Sequence, residues 1–169
     1  MKDFSALYKQ AASRKGGEKI IEGMIPKPKS AAALVRIPDD RWFSGMAKAV
    51  FRAGFNWSVI VDLAAEHGTA AKYFGNYPSA DYVGLLGDLK KRAAYLGGTT
   101  GQYFLRELGK DSFILSKDVI AALSRENVFD GSPTSKSSLA DIQDAFNEWV
   151  DDGGESLTRV SRVLAFTVG

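Results

Sequence analysis

The chain has 169 residues, which fits one domain, and its 45% hydrophobic and 25% charged residues are typical of a globular protein. The absence of cysteine excludes disulfides and thiolate metal sites, and a single histidine excludes a histidine-rich metal site, so we expect neither a metal nor another cofactor. The net charge is only +2, but residues 1–36 hold eight basic and three acidic side chains while residues 133–169 are acidic on balance, which permits an anionic partner.

The first residues lack the apolar core of a signal peptide. The longest apolar runs fall far short of the ~20 residues that cross a membrane. We therefore expect a cytoplasmic protein with no membrane association.

Apolar residues recur at helical spacing almost throughout, and no alternating run of β-branched and aromatic residues predicts a strand. Residues 1–36 read as basic N-terminal helices followed by a proline-rich linker. Residues 37–126 read as the central helical core, in which the apolar stripe of one helix contains Trp42 and Phe43. After a loop, C-terminal helices are predicted within 137–166. Helix starts are predicted at Ser30, Pro38, Asn56, Thr69, Ser79 and Ser116.

A glycine-rich turn, Leu96-Gly97-Gly98-Thr99-Thr100-Gly101, separates a basic helix end from a helix predicted over residues 102–108. Glycines let a backbone approach a ligand closely, and the unpaired amides of a first helical turn favour an anion. The pattern is compatible with a hairpin that holds a DNA phosphate, with Lys90, Lys91 and Arg92 adding attraction. Spacing alone favours the alternative, an ordinary glycine-rich connection with a solvated basic face.

Two stretches resemble the Tag-type 3-methyladenine DNA glycosylases. Residues 89–104, LKKRAAYLGGTTGQYF, are similar to that family's hairpin region, where a Leu-Lys-Lys-Arg helix end precedes a Gly-Thr-Thr or Gly-Ser-Thr turn and a Tyr. Residues 39–61, DDRWFSGMAKAVFRAGFNWSVIV, resemble its helix ending in Gln-Ala-Gly-Leu-Ser-Trp. Both occur in the family's order and together cover about a quarter of the chain.

The resemblance implies an all-α helix-hairpin-helix glycosylase fold over one domain, residues 1–169, acting as a monomer on double-stranded DNA. Trp57 matches the Trp that stacks on a flipped base, and Tyr103 matches the Tyr after the hairpin. Core packing is the alternative for both aromatic residues. The implied contacts to the DNA backbone come from the hairpin and its basic flank: Gly97, Gly98, Thr99, Thr100, Gly101, Lys90 and Lys91.

The chain departs from the family pattern at several points. Ala49 stands where the family has its base-reading Glu, eight residues before the Trp, and the zinc-binding Cys and His residues are absent. The segment between Trp57 and Gly98 is also shorter than in the family. A missing layer there would open the base pocket to water, which weakens electrostatic catalysis.

Asp118 is the candidate catalytic carboxylate. In the wider superfamily an Asp follows the hairpin and begins the next helix, and Asp118 falls in the first turn of a helix capped by Ser116. A carboxylate there would stabilise an oxocarbenium-like sugar. In another alignment Ser116 takes that place, and Asp118 then only complements the helix end.

These observations predict a DNA repair glycosylase that hydrolyses the N-glycosidic bond of alkylated purines, 3-methyladenine above all. A non-catalytic DNA-binding module on the same scaffold is the first alternative. It is motivated by Ala49 and by the short segment between Trp57 and Gly98. An all-α interaction protein without a nucleic-acid role is the second.

Overall fold

The computed structural model describes residues 1–42, 44, 58–92, 96 and 98–168. Every regular element in this part of the chain is helical, which confirms the predicted all-α class. None of the helices found there combines the length and apolar character needed to cross a membrane.

The helices are α1 (Phe4–Lys15), α2 (Glu18–Met24), α3 (Ala31–Val35), α4 (Ser58–His67), α5 (Ala70–Asn76), α6 (Tyr82–Arg92), α7 (Thr99–Leu108), α8 (Lys117–Arg125), α9 (Lys136–Trp149) and α10 (Leu157–Phe166). A 3-10 turn, Ser79–Asp81, precedes α6, and a π-helical segment, Val150–Gly154, follows α9. Residues 39–42 are also helical and begin where Pro38 was predicted to open a helix.

Predicted hydroxyl caps are confirmed at three helices. The side-chain oxygens of Ser30, Thr69 and Ser116 each accept a hydrogen bond from the amide three residues later, at 3.2, 3.0 and 3.3 Å. Each bond satisfies one of the amides that a helix leaves unpaired at its start. The cap predicted at Asn56 lies outside the described residues.

Contacts divide the chain into two compact units, residues 1–27 with 112–169 and residues 28–111. The prediction of a single domain over 1–169 stays a prediction. In the first unit, α10 packs against α1 and α8. Its buried side chains recur at three- and four-residue spacing, which makes one apolar stripe: Leu157, Val160, Val163 and Leu164.

A polar cluster in the same unit joins α1, α2 and α10. The guanidinium of Arg159 donates to Glu22 at 2.7 Å and lies 5.1 Å from the centroid of the Tyr8 ring. The Tyr8 hydroxyl donates to the same carboxylate at 2.6 Å. Hydrogen bonds from Arg159, then from Tyr8, lower the pKa of Glu22 to about 2.

This cluster makes stability depend on pH in a defined direction. Because the pKa of Glu22 is lower in the folded than in the unfolded protein, its contribution is present above the ordinary value of 4.5 and is lost as the pH falls towards 2. Since 44% of the Glu22 side chain is exposed, we expect that loss to be about 1 kcal/mol. Urea unfolding of the protein and of Glu22→Gln at neutral and acidic pH measures it. The variant should lose less stability on acidification, and an equal loss would contradict the assignment.

In the second unit, α5 packs against α3 and α4. A Cβ at Gly75 would lie 2.8 Å from the Val35 side chain, so glycine lets α3 and α5 approach closely. Trp42 is fully buried and stacks on Phe74 with ring centroids 4.8 Å apart, which confirms its predicted place in the core. Phe43, predicted beside it, lies outside the described residues.

The start of α7 differs from the sequence prediction. The helix begins at Thr99, three residues before the predicted start at residue 102. The carbonyl of Gly98 accepts hydrogen bonds from the amides of Gly101 and Gln102, at 3.1 and 3.4 Å, which closes the first helical turn there. The residues predicted as the second half of the hairpin turn are therefore helical.

Candidate nucleic-acid interface

At the basic end of α6, Lys91 and Arg92 have carboxylate partners among the described residues and Lys90 does not. Lys91 lies 3.2 Å from Asp88, and Arg92 lies 2.7 Å from Glu66, to which both of its terminal nitrogens donate. Those hydrogen bonds hold the pKa of Glu66 below its ordinary value, so the pair is charged at neutral pH. Lys90 is exposed and forms no ion pair with a described residue. Of this basic triplet, Lys90 is therefore free to meet an external anion.

The start of α7 is exposed and has no side-chain cap. Gly98, the N-cap residue, has no side chain to accept from the helix. Gly98 and Thr99 are exposed, and Thr100 is partly so. The amides of Thr99 and Thr100 meet no backbone acceptor among the described residues. No described residue therefore competes with an anion for these N–H groups or for the positive end of the helix dipole.

Gly101 has a different role from the DNA contact implied by the resemblance. It is buried, and its amide already donates to the carbonyl of Gly98. A Cβ at Gly101 would lie 2.1 Å from the carbonyl oxygen of Leu96. Glycine at this position therefore lets the first turn of α7 pack on the preceding backbone, which fixes the shape of the turn.

We expect Gly101→Ala to destabilise the protein by about 1–3 kcal/mol, because the added methyl group overlaps a backbone atom that cannot move alone. Gly98→Ala is the matched control, since a Cβ there meets nothing within 4 Å. Chemical denaturation of both variants measures the difference. Equal stability of the two variants would contradict the close approach at Leu96.

Tyr103 is 51% exposed, so the alternative of core packing was wrong for this residue. It lies four residues after Thr99 and therefore on the same face of α7. An exposed aromatic ring thus lies on the same face of α7 as Thr99, the first residue of the helix. The assignment of Tyr103 to base binding stays a prediction.

The structure does not test the roles of the remaining predicted site residues. Asp118 is exposed in the first turn of α8, next to the Ser116 cap, and belongs to the first compact unit, whereas the hairpin belongs to the second. Trp57, Ala49 and Gly97 lie outside the described residues. The catalytic role of Asp118 and the stacking role of Trp57 stay predictions.

Sequence reasoning missed an aromatic groove in the second unit. His67, Tyr73 and Tyr77 line it. The four-residue spacing of the two tyrosines on and after α5 was the available signal. In the part of the chain that the structure describes, no group of three or more His, Asp or Glu side chains is arranged to hold a metal ion.

No family model matches the chain, and no curated protein and no solved structure matches it either.

Proposed function

We propose that this protein is a DNA repair glycosylase that hydrolyses the N-glycosidic bond of alkylated purines, with 3-methyladenine as the main substrate. The observation that carries the proposal is the exposed start of α7, which has no side-chain cap and follows the glycine turn and the exposed Lys90. The exposed ring of Tyr103 on the same helix face supports it. The two sequence stretches that resemble Tag-type enzymes supply the chemistry.

The hairpin binds the DNA backbone in this proposal. A phosphate oxygen accepts from the amides of Thr99 and Thr100, and the dipole of α7 favours its negative charge. Lys90 adds a charge contact that releases counterions from the duplex. None of these contacts reads a base, so they position the protein on any sequence.

Base release requires groups beyond the hairpin. The damaged nucleotide leaves the stack, and Trp57 stacks on its cationic base. N3-alkylated adenine is already a good leaving group because it is positively charged. The carboxylate of Asp118 stabilises the positive charge that develops on the sugar and orients the attacking water.

An assay of abasic-site formation tests the enzymatic proposal. The full chain is incubated with methylated duplex DNA, and strand breakage is measured after alkali treatment. We expect release from methylated but not from unmethylated duplex. No release by folded protein in excess over DNA would overturn the glycosylase proposal.

A non-catalytic DNA-binding module is the second candidate, and Ala49 favours it. A methyl group can neither accept a hydrogen bond nor hold a charge, so base reading at this position is lost. This candidate predicts duplex binding without base release. Release from methylated DNA would exclude it.

A further inference from the structure

The groove that sequence reasoning missed is open to solvent and has the volume of a small-ligand site. Its volume is about 400 Å³, and all its lining residues come from the segment between the end of α4 and the start of the 3-10 turn. Ligand sites range from about 300 to 1,000 Å³. The residues that line it are His67, Lys72, Tyr73, Asn76, Tyr77 and Pro78.

Aromatic rings form most of its wall. The His67 and Tyr73 rings lie 4.8 Å apart between centroids, and the Tyr73 and Tyr77 rings lie 5.7 Å apart edge to face. The hydroxyl of Tyr73 donates to Asp88 and that of Tyr77 donates to Asp81, each at 3.3 Å. These hydrogen bonds fix the rings, and fixed ring surfaces favour a flat ligand.

The polar side chains at the groove determine which charge a ligand can carry. Lys72 is exposed and forms no ion pair with a described residue, and its ammonium lies against Gly68, where a Cβ would be 3.6 Å away. Asn76 is also exposed, and its amide makes no hydrogen bond with a described residue. No carboxylate is among the described residues that line the groove, and Lys72 supplies a positive charge there, which favours a negatively charged group in the ligand.

We propose that this groove binds a nucleobase that carries a phosphate group. The base stacks against Tyr77, the Asn76 amide pairs with its polar edge, and the phosphate lies on Lys72. Aromatic rings with an adjacent cation are the general means of holding an unpaired nucleotide. The site involves no hairpin residue, so this proposal and the proposed glycosylase function can fail independently.

The ligand has two possible sources, a free mononucleotide or an unpaired nucleotide of a DNA strand. Binding of adenosine 5′-monophosphate, adenosine and a short single-stranded oligonucleotide to the full chain is measured by titration NMR. Binding of the monophosphate identifies a free nucleotide, and binding of the oligonucleotide alone identifies a strand. Either result supports the site if the substitutions below weaken the binding. The proposal is overturned if neither the monophosphate nor the oligonucleotide binds.

Four substitutions locate the binding. Lys72→Gln should weaken the nucleotide about tenfold and leave adenosine unchanged, because only the phosphate contact is lost. Tyr77→Ala should weaken either ligand about tenfold, whereas Tyr77→Phe keeps the ring and the affinity. Lys90→Gln, on the hairpin flank, should have no effect on the mononucleotide. An affinity that neither Lys72→Gln nor Tyr77→Ala changes would overturn the proposal. Lys72→Gln still tests the site if Tyr77→Ala does not fold.

Discussion

Replacing Asp118 with Asn is expected to slow base release from methylated DNA about 100-fold, because the amide keeps the size of the carboxylate but not its charge. Binding to undamaged duplex should persist. The side chain is exposed in the first turn of α8, so the lost interaction with the helix dipole costs the fold only about 0.3–1 kcal/mol. Single-turnover release and a melting curve on the same preparation measure the two effects.

Asp144→Asn is the matched control for this substitution. Asp144 is also exposed, on α9 in the same compact unit, and its change removes the same charge. It should leave base release within about twofold of the unchanged protein. Full activity of Asp118→Asn would show that another group stabilises the sugar.

Gly98→Asp is expected to weaken duplex binding at least about tenfold. A carboxylate at the start of α7 would lie at the position proposed for the phosphate and would repel its negative charge. The fold should tolerate the change. A Cβ at Gly98 meets nothing within 4 Å, and Asp at an N-cap gains a few tenths of a kcal/mol over Gly. Fluorescence anisotropy with a labelled duplex measures the affinity.

Gly98→Asn separates charge from bulk in this experiment. Asn caps a helix as well as Asp and has nearly the same shape, but it is neutral. Because its cap can occupy an amide of the first turn without repelling a phosphate, we expect affinity between that of the unchanged protein and that of Gly98→Asp. If both variants bind equally well, the start of α7 does not contact phosphate.

Helix starts with a polar cap were readable from the sequence because capping is local. Ser30, Thr69 and Ser116 each needed only an amide three residues later. The start of α7 was not, since Gly98 provides no side-chain cap and the following Thr-Thr-Gly is typical of a turn. The second half of the predicted hairpin turn, residues 99–101, proved helical.

The electrostatics of the hairpin flank depend on partners that are remote in sequence. Arg92 bonds to Glu66, 26 residues earlier, so within a triplet that is uniformly basic in sequence only Lys90 lacks an ion-pair partner among the described residues. The exposure of Tyr103 likewise depends on which face of α7 packs on the unit. The periodicity of apolar residues predicts that a helix has a buried face. Whether one aromatic residue is buried also depends on how the neighbouring helices pack, which periodicity does not give.

The salt dependence of duplex binding tests the central claim most directly, which is that the start of α7 and Lys90 hold the DNA backbone. Affinity of the full chain for an undamaged duplex is measured between about 50 and 200 mM salt, and the logarithm of the binding constant is plotted against that of the salt concentration. We predict a steep negative slope that becomes shallower by about one unit in Lys90→Gln. Absence of binding at the lowest salt, or an affinity that does not change with salt, would contradict the claim.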